Sequence, residues 1–296
     1  MKTVYVFLRC CLSALLFFSV TVVDAAERIV SVGGDVTELV AALGSAEKLV
    51  GIDISSTYPA SVQQLPKVGY QRNLASEGIL SLKPDLLIHN ELAGPPGVLL
   101  QLQATSLPIV VLPTAYTLSD LQKKVSKLGE VLNQKPTAEQ LNKKMANDYA
   151  SLQQLKIAQP LQSKVVFILN HGGGAAMVAG RGSAADEVIK LAGATNAANF
   201  DRYKPLTPEA MVEAAPDVVL VTNITVQQLG GVEKLWALPG MSLTPAARDK
   251  KIIIMDAQSL LSFGPRIFQI AADLHLQLKE KMAVVATHNP ALAKHE

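Results

Sequence analysis

The 296-residue sequence predicts an α/β protein of two similar lobes joined by a single long helix. Three observations carry the prediction. Short β-branched runs alternate with amphipathic stretches through both halves, the pattern of layered α/β lobes. Segments of the first half recur in the second at matched spacing. Between the halves lies 135–160, with no glycine and no proline between Pro136 and Pro160.

That central stretch places Ala138, Leu141, Met145, Tyr149, Leu152 and Leu155 at intervals of three and four, one face of a helix. Thr137 and Gln140 have the spacing of a capping box, and Pro136 discourages the preceding helix from running on. About 22 helical residues make a rod of about 33 Å, the width of a small domain. Residues 136–160 are therefore expected to be a spine between a first lobe at 27–135 and a second at 161–285.

The chain opens with an export signal at 1–26. Lys2 and Arg9 form its basic region, 10–23 is an apolar run too short for a stable span, and small residues suit cleavage near Ala25 or Ala26. Both cysteines, Cys10 and Cys11, begin the apolar run rather than follow it, which disfavours a lipid-bearing cysteine. The mature chain then has no disulfide and no thiolate chemistry. An exported, cysteine-free, two-lobed chain suggests a bacterial periplasm. Nothing after residue 26 reads as a membrane span.

In the first lobe, 28–32 is a short strand running into Gly33-Gly34, and Asp35 is placed to cap a helix over 36–43, stopped by Gly44. Strands follow at 49–52, 82–89 and 107–112, the third apolar like a buried parallel strand. An amphipathic helix over 118–132 stops before Pro136. The irregular segment 53–73 follows a strand end, where open α/β sheets place ligands, and loops of that length are usually functional or disordered. At its far end, Tyr70 and Arg72 sit two apart after Gly69 and can converge on one ligand. The alternative is a surface tyrosine packed on its own loop.

The second lobe repeats the first. A strand at 163–169 runs into three glycines at 172–174, and 188–193 echoes 39–44. Glu77 stands six residues before Pro84-Asp85 and a strand; Glu209 stands six residues before Pro216-Asp217 and a strand. A late strand at 251–255 and a closing helix over 265–282 finish the lobe, with 286–296 a frayed tail.

With 49% hydrophobic and 18% charged residues and a net charge of +2, the chain is an ordinary globular protein, and neither charge nor any basic run supports nucleic-acid binding. Asn170-His171-Gly172-Gly173-Gly174 resembles the oxyanion segment of lipases, but no Gly-x-Ser-x-Gly elbow accompanies it. No nucleophile, base and orienting group are evident, so no enzyme is predicted. Gly180-Arg181-Gly182-Ser183-Ala184-Ala185 formally fits a short dinucleotide fingerprint. No acidic residue follows at the right distance, and the glycines read instead as the turn into a helix over 184–192. The five histidines, His89, His171, His275, His288 and His295, show no ligand spacing for zinc. His171 lies on the lip where the second lobe would face the first. Glu77 and Glu209 could simply favour a helix dipole. Their matched placement suggests instead an acidic knob on each lobe for a two-fold membrane partner.

Together the signal, repeated lobes, single spine and paired Glu-x6-Pro-Asp elements resemble the periplasmic binding proteins of iron-complex and cobalamin ABC importers. Leu238-Pro239-Gly240, Thr244-Pro245-Ala246-Ala247-Arg248 and Ile252 through Asp256 are similar to that family's closing segment. The stretches 69–74, 180–185 and Phe263-Gly264-Pro265-Arg266 resemble its haem-importer branch, of HmuT type. The resemblance implies a class III fold of two Rossmann-like lobes around one helix and a ferric haem b as cargo, one or two stacked. It implies Tyr70 as axial iron ligand with Arg72 beside it, and His171 as ligand of a second haem. It implies a monomer that docks through Glu77 and Glu209 on an inner-membrane permease dimer with its ATPase. A ferric siderophore or cobalamin is the alternative cargo. The chemistry fits: tyrosine is one of few protein ligands to haem iron, and a nearby cation favours the ionised phenol. Met177, Tyr58, Tyr203 and Phe263 are candidate walls.

Overall fold

The structure, a computed structural model, describes residues 26–170 and 174–288. The export signal, apart from Ala26, lies outside these residues, as do His171 and His295.

The first lobe runs β1 (Ile29–Val32), α1 (Gly34–Ala42), β2 (Leu49–Ile52), a hairpin of β3 (Gly69–Tyr70) and β4 (Asn73–Leu74), α2 (Ser76–Leu80), β5 (Leu86–Asn90), α3 (Pro96–Gln103), β6 (Ile109–Leu112) and α4 (Leu118–Val131). The spine is α5 (Lys135–Ala158). The second lobe runs β7 (Lys164–Leu169), β8 (Met177–Ala179), α6 (Ala184–Leu191), β9 (Thr195–Asn196), β10 (Tyr203–Pro205), α7 (Pro208–Ala214), β11 (Val218–Thr222), α8 (Asn223–Leu229), α9 (Val232–Trp236), α10 (Pro245–Arg248), β12 (Ile252–Met255), α11 (Ala257–Leu261) and α12 (Ile267–His288).

The first sheet is parallel throughout, in the order β2-β1-β5-β6. In the second sheet β9, β7, β11 and β12 are parallel neighbours in the same order. The repeat read along the chain is thus a repeat of topology. Strands β1, β5 and β11 are buried along their whole length, which explains their mostly apolar sequences. The second lobe adds an antiparallel ribbon, β8 and β10, on the carboxyl end of β7: Leu169 pairs with Met177 and Ala179 with Tyr203.

The repeated Pro-Asp has a structural task in both lobes. The Asp85 carboxylate accepts from the Glu27 and Arg28 amides at 2.9 and 3.0 Å. The Asp217 carboxylate accepts from the Lys164 amide at 2.8 Å. Each ties the start of the lobe's first strand to the start of its central neighbour.

The spine buries Ala138, Met145 and Leu152, with Leu141 and Tyr149 half-buried against the same core, as the spacing predicted. That core is continuous from α1 and α4 through Met145 and Leu152 to Phe268, Leu274 and Leu278 of α12. Gly129 of α4 allows the close crossing, since a β-carbon there would lie 2.5 Å from that of Ala138. Over its 24 residues the rod is about 36 Å long.

Several local expectations change. The spine begins at Lys135 with Gln134 before it, so Pro136 lies in the first turn, where its missing N–H costs nothing. The Thr137–Gln140 capping box does not form; the Thr137 hydroxyl donates to Gln134 Oε1 at 3.2 Å. Asp35 does not cap α1. Gly33 precedes that helix, and the Asp35 carboxylate turns inward to Lys124. The third and fourth strands begin only at Leu86 and Ile109, past Lys83-Pro84 and Pro108. The closing helix extends to His288 rather than ending near 282.

Candidate functional site

Sheets of this kind place ligands beyond the carboxyl ends of their strands. A cavity of about 510 Å³ lies there, between the lobes. The first lobe contributes Tyr70, Gln71 and Arg72 from the β3–β4 hairpin, Leu92 just past β5 and Tyr116 past β6. The second contributes Leu169 at the end of β7, Met177 of the added ribbon, Ser183 and Ala184 at the start of α6, and Arg202 and Tyr203.

The hairpin pairs Tyr70 with Asn73, leaving Gln71 and Arg72 as a two-residue turn. Gly69 enters it at φ 104°, a left-handed value that favours glycine. Three backbone bonds fasten the hairpin: the Ile54 amide to Gly69 O at 2.9 Å, the Gly94 amide to Gln71 O at 2.8 Å, and the Leu74 amide to Gly94 O at 2.9 Å. Tyr70 is half-buried and Arg72 exposed.

Across the cavity the 180–185 glycine stretch is a shaped loop. A β-carbon on Gly180 would lie 2.1 Å from Phe200 O, so only glycine lets the two segments meet. Ser183 caps α6, its hydroxyl oxygen accepting from the Asp186 amide at 3.2 Å. Asp186 is fully buried and accepts from the Gly182 amide, Asn196 Nδ2 and Lys190 Nζ at 2.9, 2.9 and 2.7 Å. Burial pushes its carboxyl up, but those three donors outweigh burial and hold it below the usual carboxylate value. The turn into a helix expected from these glycines is therefore what the stretch forms.

Among the described residues, no aspartate or glutamate lines the cavity. Its two guanidiniums, Arg72 and Arg202, come from opposite lobes, and among the described residues neither is in an ion pair. Burial pushes the Tyr203 phenol up to about 12, Tyr116 and Tyr70 adding to the rise while Arg72 and Ser183 oppose it. Burial likewise raises Tyr116, where Glu187 adds and Arg202 opposes. Both remain neutral hydroxyls near neutral pH. The arrangement suits a flat apolar body carrying anionic groups at its edge.

Of the residues expected here, Tyr70, Arg72, Met177 and Tyr203 line the cavity. Tyr58 does not: its ring stacks on Arg266, 3.4 Å from the guanidinium carbon to the ring centroid. Phe263 is buried behind the wall, edge-on to Tyr116 at 4.9 Å. His89 and His275 are buried, each with Nδ1 2.8 Å from a backbone carbonyl, of Asn90 and Ala192. His171 lies outside the described residues. Glu77 and Glu209 are exposed in the first turns of α2 and α7, the helices before the matched strands β5 and β11. Arg202 and Tyr116 were not legible. Arg202 sits at φ 63°, an uncommon backbone state for arginine, and only the antiparallel ribbon carries it to the cleft.

Two α/β lobes around one connecting helix, with an inter-lobe cavity at the strand ends, define a class III periplasmic substrate-binding protein. The profile of the family described as periplasmic binding protein matches residues 29–259, and the chain belongs to that family. Among solved structures it is similar to the periplasmic heme-binding protein RhuT from Roseiflexus sp. RS-1, at 38% identity and a TM-score of 0.83, covering 86% of this chain and 99% of that one. It is similar to the periplasmic heme-binding protein BhuT in complex with two hemes, at 37% identity and a TM-score of 0.81, covering 86% and 98%. Among curated relatives, the uncharacterized ABC transporter substrate-binding lipoprotein YvrC of Bacillus subtilis (strain 168) is 28% identical over 259 residues, 86% of this chain and 81% of that one. No helix among the described residues is long and apolar enough to cross a membrane.

Proposed function

We propose that this protein binds ferric haem in the periplasm and delivers it to an inner-membrane ABC importer, without catalysis of its own. The observation that carries the reading is the chemistry of the cavity. The phenols of Tyr70 and Tyr116 from the first lobe, an unpaired guanidinium from each lobe and, among the described residues, no carboxylate surround apolar walls. Haem is flat and apolar, bears two carboxylates at one edge, and holds a ferric iron that accepts a phenolate oxygen. The similarity to RhuT and BhuT, both heme-binding by name, supports the same cargo.

In this reading Tyr70 is the axial ligand and Arg72 stabilises its phenolate or a propionate. His171 is the ligand of a second haem, stacked on the first, and its position in the chain, two residues after Leu169 ends β7, supports that role. Glu77 and Glu209 are the docking acids for a permease dimer with its ATPase. Their exposure and equivalent positions in the two lobes support the assignment. The carrier acts as a monomer after cleavage near Ala25 or Ala26.

Titration with hemin tests this. A Soret shift is expected that is lost in Tyr70→Ala, with two equivalents bound by the native chain and one by His171→Ala. Preferential binding of a ferric siderophore or cyanocobalamin would replace the cargo. Unchanged haem uptake by cells expressing charge-reversed Glu77 and Glu209 would remove the docking role.

A further inference from the structure

A polar relay runs from the interior of the first lobe to the back of the β3–β4 hairpin. Lys124 of α4 is 2% exposed, and its Nζ donates to Asp35 Oδ2. The other carboxylate oxygen of Asp35 accepts from Asn90 Nδ2 at 2.9 Å. The same amide nitrogen donates to Gln71 Oε1 at 3.1 Å. Asn90 Oδ1 in turn accepts from the Leu92 amide at 3.1 Å. Asn90 thereby uses both amide hydrogens and its carbonyl.

The backbone makes room for the relay. A β-carbon on Gly33 would lie 2.3 Å from Asn90 Nδ2. Stability alone is a weak reason to bury such a chain, since a buried ion pair is often no better than apolar residues of equal volume. A satisfied buried network does fix geometry. The backbone bonds from Ile54, Gly94 and Leu74 hold the main chain of the hairpin, whose strands are only two residues long, but they do not orient its turn side chains. Gln71 is the one turn residue that reaches back to the relay, and it stands between Tyr70 and Arg72.

We infer that Gln71 is a positioning residue for the Tyr70 phenol and the Arg72 guanidinium, locked from behind by Asn90, Asp35 and Lys124. The inference rests on the haem reading above. Partners that orient a metal ligand commonly change metal affinity by about 10- to 100-fold when removed. Without the lock, haem still enters, but Tyr70 meets the iron over a spread of geometries. A cavity of about 40 Å³ beside Asp35, Asn90 and Gln71 gives a released side chain space to move.

The experiment uses the mature chain loaded with hemin. It reads the phenolate-to-iron charge-transfer band and the rate of haem transfer to excess apomyoglobin. Gln71→Ala is expected to broaden the band and speed transfer about 10- to 100-fold, with the unfolding midpoint of the haem-free chain unchanged. A native band and rate in Gln71→Ala overturns the positioning role. Tyr70→Phe is the separating arm. Loss of the band there leaves the ligand reading standing whatever Gln71 does; an unchanged band overturns the ligand and the positioning role together.

Discussion

Arg266, just before the last helix, grips Glu38 of the first lobe with both arms of its guanidinium, Nε to Oε1 at 2.8 Å and Nη2 to Oε2 at 3.0 Å. Glu38 is 3% exposed, so its carboxylate is largely desolvated, while the Arg266 side chain keeps 27% of its surface exposed. Gln258 reinforces it: its Oε1 accepts from the Thr57 and Tyr58 amides at 2.5 and 2.8 Å, and its Nε2 donates to Gly34 O at 2.9 Å. The second lobe's closing segment is thus stapled onto α1.

Removing the arginine leaves a buried carboxylate without its cation, which typically costs about 3 kcal/mol or more. Arg266→Ala is therefore expected to lower the unfolding free energy by about that amount. Glu38→Gln added to it should recover part of the loss, because the stranded charge is gone. Denaturant midpoints of the three variants decide it; an unmoved midpoint in Arg266→Ala rules out the staple.

The two cavity guanidiniums make a prediction about cargo rather than stability. If Arg72 and Arg202 hold propionates, each alanine substitution weakens hemin binding by roughly tenfold, about 1.4 kcal/mol, the low end for a charge-assisted hydrogen bond. The dimethyl ester of haem has no such charges, and its affinity should not respond to Arg202→Ala. Equal losses for acid and ester would mean that Arg202 acts on shape alone. Arg202→Ala is also expected to keep the tyrosine-ligated spectrum.

Asp186 makes a pH prediction. Its folded carboxyl is held below the usual value, so the unfolded chain binds its proton more readily. The stabilisation it supplies is complete above the unfolded value, near 4, and is lost as the pH falls through the lower folded one. Asp186→Asn should cost about 1 to 3 kcal/mol at neutral pH, because a donor aimed at the buried carboxylate, Asn196 Nδ2 or the Gly182 amide, loses its acceptor. It should also flatten the acid limb of the stability curve measured between about pH 6 and pH 3. An acid limb identical to that of the native chain would assign the acid sensitivity elsewhere.

Much of the architecture was legible because burial leaves a local trace. Strands covered on both faces read as apolar runs, and Met145 and Leu152 showed the spine's face through spacing alone. Tyr70 and Arg72 were legible because their loop is long and follows a strand end. Asp35 was misread because an acid after a glycine turn is a plausible cap, and nothing near it in the chain announces Lys124, 89 residues away. Arg202 and Tyr116 escaped for the same reason, since each reaches the cleft only through the folding of another segment. The Pro-Asp repeat was seen as a pattern, but its task, tying strand starts together, is a hydrogen bond across 57 residues in one lobe and 53 in the other.

By itself the chain order determined the class of fold, the duplicated lobes and the connecting helix, and it placed Tyr70 in a long loop after a strand. The first three are written in periodicity and matched spacing, where local sterics and burial act directly, whereas the role of the phenol came from the family resemblance. Only the tertiary structure decided which cations face the phenol, what fastens the hairpin and where the lobes are stapled. Those contacts join side chains far apart in sequence, and their energies depend on burial, distance and charge that exist only once both lobes have closed around the spine.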